Sequence, residues 1–202
     1  MAIISMQARG KFWHFGLAAV VLVFAWLLQL TLLSIIPLRA VLCSVPMMVT
    51  IVWGAVFGSP LHMPRRDELH HVSLGQIVSI QALSGSVSGL LVGAFFGSLY
   101  ASILPVYPVS FPIVGWIAGY FCLRNFNQGT LLCIPLVLLL SVLAESITAV
   151  QMMILHRPDV LPHLAQMAVT ESIVNAMISP FVFYPLRVWY DLIQTPSQEI
   201  KA

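Results

Sequence analysis

Residues 131–155 read LLCIPLVLLLSVLAESITAVQMMIL, an apolar run in which Glu145 is the only charged side chain. A helix needs about 20 largely apolar residues to cross the hydrocarbon core of a bilayer. The run is long enough to do so and is closed by His156-Arg157-Pro158-Asp159. A soluble core helix has no need of so long an uncharged stretch. The reading of this segment as a membrane span decides how the rest of the chain is read.

Composition agrees with it. The chain has 202 residues, of which 59% are hydrophobic and 8% charged, against about 25% charged in an ordinary soluble domain. A core of this size has no room for that much apolar surface, so the excess is expected to face lipid. The net charge of +2 is too small and too scattered for a nucleic-acid reader. Cys43, Cys122 and Cys133 sit inside apolar runs with neither a disulfide framework nor zinc spacing and read as small packing residues.

Outward from 131–155, five further spans follow the same rule. Residues 12–36 form the first, ended by Pro37; the stretch exceeds the 7–15 residues or so of a signal-peptide core, and no small-residue cleavage site follows. Residues 40–58 form the second, stopped by Ser59-Pro60. The loop 61–73 carries Arg65, Arg66, Asp67, Glu68, His62, His70 and His71 and is the one long hydrophilic interior stretch. Residues 74–104 follow without a charge. Their first half, with Gln76, Ser79, Gln81 and Ser84, reads as a polar helical lead-in to a third span over 85–104. The fourth, 109–123, is short enough to borrow residues from the loop before it. After the fifth, a partly amphipathic segment over 160–170 precedes the sixth, 172–189. The expected fold is all-α: one integral membrane domain over 1–202, a bundle of about six transmembrane helices.

Charge sets the orientation. With the N-terminus inside, the inner segments hold Arg9, Lys11, Arg65, Arg66, Arg124, Arg187 and Lys201 while the outer loops hold Arg39 and Arg157, seven against two. Positive residues collect on the cytoplasmic side of membrane proteins, so both termini and the loop 61–73 are expected there. Trp13, Trp53, Trp116, Trp189 and Tyr190 fall near span ends, as an aromatic belt does.

Gly85, Gly89, Gly93 and Gly97, then Ala101, recur every fourth residue and line one helix face. Small residues at that spacing let a second helix approach closely. The ridge reads as packing inside this chain, with a partner helix as the alternative; Gly115 and Gly119 repeat the spacing, so the two faces could meet. Glu145 is the one acid deep in a span. Ser141 and Thr148 share its face at i−4 and i+3, and no basic residue or relay of acids and histidines accompanies it. It reads as a structural or partner-facing hydrogen-bonding group, with a proton or substrate site as the alternative. Asn175, with Ser179 one turn on, reads as an interhelical hydrogen-bond donor, and Glu171 as a solvated or capping residue at the start of the sixth span. Arg124, Glu171 and Arg187 are the candidates for contact with a partner.

No catalytic, cofactor or metal residues are assigned. The three loop histidines read as solvated neighbours of Arg65 and Arg66, no H-E-x-x-H or P-loop is present, and Gly85-Ser86-Val87-Ser88-Gly89 has Val87 where a nucleophile elbow has serine.

The last third carries a resemblance. Cys122-Leu123-Arg124-Asn125, the span holding Glu145, the loop His156-Arg157-Pro158-Asp159, then Asn175, Pro180 and Tyr184-Pro185-Leu186-Arg187 are similar to the MreD family, the rod shape-determining membrane proteins of bacteria, in its cyanobacterial branch. Gly89-x-x-x-Gly93 falls where that family has a glycine-rich span. The resemblance covers roughly 85–190. Many members carry an aspartate four residues after the second glycine; Gly97 stands there in this chain, so that aspartate's role does not transfer. The resemblance implies a non-enzymatic scaffold of the inner-membrane elongation complex, which builds peptidoglycan and determines cell shape. Its implied partners are an MreC-like protein, an MreB-like actin homologue, a SEDS glycosyltransferase and a penicillin-binding transpeptidase, with no cofactor and no nucleic acid. The implied fold is similar to the substrate-binding S subunits of energy-coupling-factor vitamin transporters, and such a subunit is the alternative function.

Overall fold

A computed structural model describes residues 16–31, 44–58, 86–100, 107–121, 130–156 and 161–194. All their regular structure is helical. The chain divides into two compact units, Met1–Arg39 and Ala40–Ala202. The first contains α1, Gly16–Thr31. Its face bearing Val20, Val23, Phe24 and Leu27 is apolar and exposed, and Thr31 Oγ1 returns to the carbonyls of Leu27 and Leu28, each at 3.0 Å.

The second unit is built around α2, Val45–Phe57. Pro46 lies in its first turn, where a missing N–H costs nothing because that position has no intrahelical acceptor. Every residue from Val45 to Val56 is buried. A helix apolar on all sides is stable only when surrounded, and α2 touches each of the other four described α-helices of its unit. These are α3, Val87–Tyr100, α4, Tyr107–Ala118, with a 3-10 turn to Phe121, α5, Cys133–Ile154, and α6, Leu161–Gln194. The most extensive contacts join α3 to α4 and α5 to α6.

Local chemistry sets the ends. Ser86 caps α3: its Oγ accepts from Gly89 N at 2.8 Å, satisfying one of the donors a helix start leaves free. Ser86 N donates to Trp116 O at 3.2 Å, which ties that start to α4. Ser88 Oγ donates to Phe57 O at 3.2 Å and so satisfies a carbonyl at the end of α2. At the end of α5, His156 is left-handed with φ 55° and donates to Met153 O at 3.1 Å. A left-handed residue with a proline soon after it, here Pro158, is a strong helix stop.

Three expectations need correction. Residues 160–170 and 172–189 do not form separate segments: α6 runs unbroken for 34 residues, about 51 Å at 1.5 Å per residue. Nothing from Val169 to Ser172 breaks a helix, and Pro180 and Pro185 sit within it. Glu171 therefore caps no helix start; it lies mid-helix. Trp53 does not belong to an interfacial belt. It is buried, 4.7 Å from Phe57 and 5.7 Å edge-on from Trp189 between ring centroids, because α2 presents no outer face.

Of the described helices, only Cys133–Ile154 is long and apolar enough to cross a membrane by itself. Helices α2 to α4, at 12 to 14 residues, measure about 18–21 Å, against a hydrocarbon core of about 30 Å. The loop 61–73, the lead-in before Ser86, Gly85 and Arg124 lie outside the described residues.

Candidate functional site

Two clusters collect the polar and the small residues of the second unit. In the first, α2, α3 and α4 meet through glycine. A methyl group added at Gly89 would strike Gly115 O and lie 2.8 Å from Gly54 Cα. One added at Gly115 would strike Gly89 O and lie 2.8 Å from Thr50 Cγ2, and one at Gly54 would strike Gly115 O. The three backbones are therefore in direct contact. Gly93 stands against the backbone of Phe111 and Pro112, and Gly119 against Ser86. Gly97 is buried further along α3.

The face with Gly89 and Gly93 thus meets the face with Gly115 and Gly119. Sequence reasoning missed Gly54, the third member. The signal was present, since Gly54 and Gly58 are four residues apart, but the apolar context of Trp53 and Val56 masked it.

The second cluster joins α5, α6 and the start of α2. Asn175, fully buried, accepts from Ser44 N at 3.0 Å through Oδ1. It is an acceptor that satisfies a free N–H at the head of α2, not the donor expected, and its Nδ2 has no hydrogen-bond partner. Glu171 comes close to Asn175 and Ser44 and within electrostatic range of Glu145, without closing a hydrogen bond to that Nδ2.

Glu145 is 8% exposed. No described residue hydrogen-bonds to its carboxylate. Its helical neighbours do not serve it: Thr148 Oγ1 donates to Ala144 O at 3.0 Å, and Ser141 Oγ is buried with no partner. The reason is geometric. A hydroxyl on a helix can return to the carbonyl one turn back, and Thr148 takes that bond. Ser172 Oγ and Gln151 Oε1 are likewise buried without partners. Ser179 Oγ donates to Ala176 O at 2.7 Å and lies 3.3 Å from Cys133 Sγ; both residues are buried.

A shallow groove of about 350 Å³ opens beside Glu145. Val142, Ala149 and Met153 of α5 and Leu161, Ala168 and Val169 of α6 wall it, with Ser146 the other polar side chain. No group of three or more metal-ligating side chains occurs among the described residues. Arg187 lies 16 residues beyond Glu171 on α6, about 24 Å along the axis, so these two partner candidates do not converge. No family model matches the chain, and no curated protein or solved structure matches it significantly.

Proposed function

We propose that the chain is a bacterial inner-membrane protein of the MreD type, a non-catalytic scaffold that packs against other membrane proteins of the elongation complex and thereby determines cell shape. The observation that carries this is the pairing of an apolar exterior with a core closed by bare backbone. Leu91 of α3, Leu139 of α5 and Met177 and Phe181 of α6 are exposed at 61%, 67%, 69% and 80%, while α2, α3 and α4 meet through Gly54, Gly89 and Gly115. In water such an exterior favours aggregation. In lipid it is neutral, because acyl chains are as apolar as leucine. Burial then gains little, and close approach of backbones becomes the main source of helix association. A chain built on glycine contacts is suited to that solvent.

The alternative is an S subunit of an energy-coupling-factor transporter. A site for a polar vitamin needs several convergent polar groups. Among the described residues, the groove beside Glu145 offers one carboxylate and one hydroxyl, which favours the scaffold.

Two experiments test the reading. The full chain expressed in a rod-shaped bacterium sediments with membranes and resists carbonate extraction; recovery in the soluble fraction refutes the membrane assignment. Depletion in its native host rounds the cells, and an affinity-tagged copy co-purifies an MreC-like protein. Rod shape retained after full depletion refutes the shape assignment.

A further inference from the structure

We infer that the groove between α5 and α6 receives one basic side chain, lysine or arginine, carried on an apolar transmembrane helix of a partner protein. Glu145 lines the groove, more than nine-tenths buried, and no described residue hydrogen-bonds to it. Glu171 places a second carboxyl within electrostatic range. Among the described residues, no lysine or arginine lines the groove. An acid at this depth is costly unless matched, and such residues pair with a cation or line a pathway. The groove walls identify the carrier of the cation. Val142, Met153 and Val169 expose 44–60% of their surface around it, an apolar rim that suits a helix flank and not a hydrated ion. Ser146, Ala149 and Ala168 keep the walls low, so a second backbone can come close. One carboxylate and one hydroxyl are too few groups to orient a polar small molecule, but they suffice for one ammonium or guanidinium delivered by a helix.

The inference rests on the chain's being embedded in a membrane beside other proteins, and its test needs no cells, so it can fail while the cell-shape reading stands, or hold while that reading falls. The full-length protein is reconstituted in phosphatidylcholine vesicles with fluorescent peptides of about 20 leucine and alanine residues, bearing lysine or leucine at the centre. Energy transfer reports association. The lysine peptide is expected to associate about tenfold more tightly than the leucine peptide. Glu145→Gln removes that preference and leaves leucine-peptide association unchanged. Because a variant can misfold, the native protein is also labelled with a hydrophobic carbodiimide, which modifies carboxyl groups within the bilayer. The lysine peptide protects Glu145 and the leucine peptide does not. Equal association of the two peptides overturns the proposal, as does a lysine preference that survives in Glu145→Gln. Protection of Glu145 by sodium ion or a soluble amine, with none from the lysine peptide, also overturns it in favour of a small-cation site.

Discussion

Gly89→Ala adds a single methyl group at the point where three helices touch. The new carbon would strike Gly115 O and lie 2.8 Å from Gly54 Cα and 2.9 Å from Gly115 C. Carbon atoms rest about 3.5–4.0 Å apart, so α3 must retreat by roughly 1 Å. All three obstacles are backbone, and no rotamer change relieves them. The retreat loosens Val92 and Phe96, both buried on the same helix, and a gap of 0.5–1 Å forfeits about a quarter to a half of a contact's attraction. Overpacking of a tight core costs about 1–3 kcal/mol, and with two helices obstructed the upper end applies. Alanine's better helix propensity returns about 0.5–1 kcal/mol. The net loss is about 2 kcal/mol or more, some thirtyfold in the folding equilibrium. The assay is unfolding of the full chain in mild detergent micelles titrated with dodecyl sulfate, followed by tryptophan fluorescence. Gly16→Ala is the control: nothing lies within 4 Å of its added carbon, and its change is expected within about 0.5 kcal/mol. If Gly89→Ala unfolds at the wild-type midpoint, the three backbones are not in contact and the packing argument fails.

Asn175→Ala leaves Ser44 N without its acceptor and costs about 1–3 kcal/mol in the same titration; a smaller loss than that of Ser146→Ala, which breaks only an intrahelical bond on the exposed side of α5, contradicts the capping role. Ser86→Ala removes the cap on Gly89 N and costs about 0.5–2 kcal/mol, with amide exchange at the start of α3 accelerated; unchanged exchange there rules the cap unimportant. Ser73→Cys and Gln194→Cys, in a chain with Cys43, Cys122 and Cys133 replaced by alanine, resist a membrane-impermeant thiol reagent in intact cells, and labelling at either position defeats the N-inside orientation.

Several features are legible in the residues alone. The run 131–155 predicts its helix almost to the residue, because an apolar stretch with Glu145 its one charge, closed by His156 and Pro158, leaves the backbone little alternative to its own hydrogen bonds. The four-residue glycine spacing predicts close helix contact, because it depends only on the 3.6-residue turn. That periodicity cannot say how many helices share one contact. Gly54 is recognised only when α2 is seen to be buried on every side.

The long α6 was hidden for a related reason. Hydropathy falls from 160 to 170, but helix continuity depends on backbone bonds that polar side chains do not interrupt. Asn175 and Ser44 are 131 positions apart, a pairing no local pattern encodes, and it turns an expected donor into an acceptor. Glu145 shows the division most clearly. The sequence alone places one acid in a span, since an isolated charge stands out against leucine and valine. Whether that acid is satisfied depends on which groups of α6 and α2 reach it. Tertiary packing decided that the described ones do not: Asn175 Oδ1 accepts from Ser44 N and Thr148 Oγ1 donates to a carbonyl of its own helix, because a polar group spent on a backbone partner is not available to the carboxylate beside the groove.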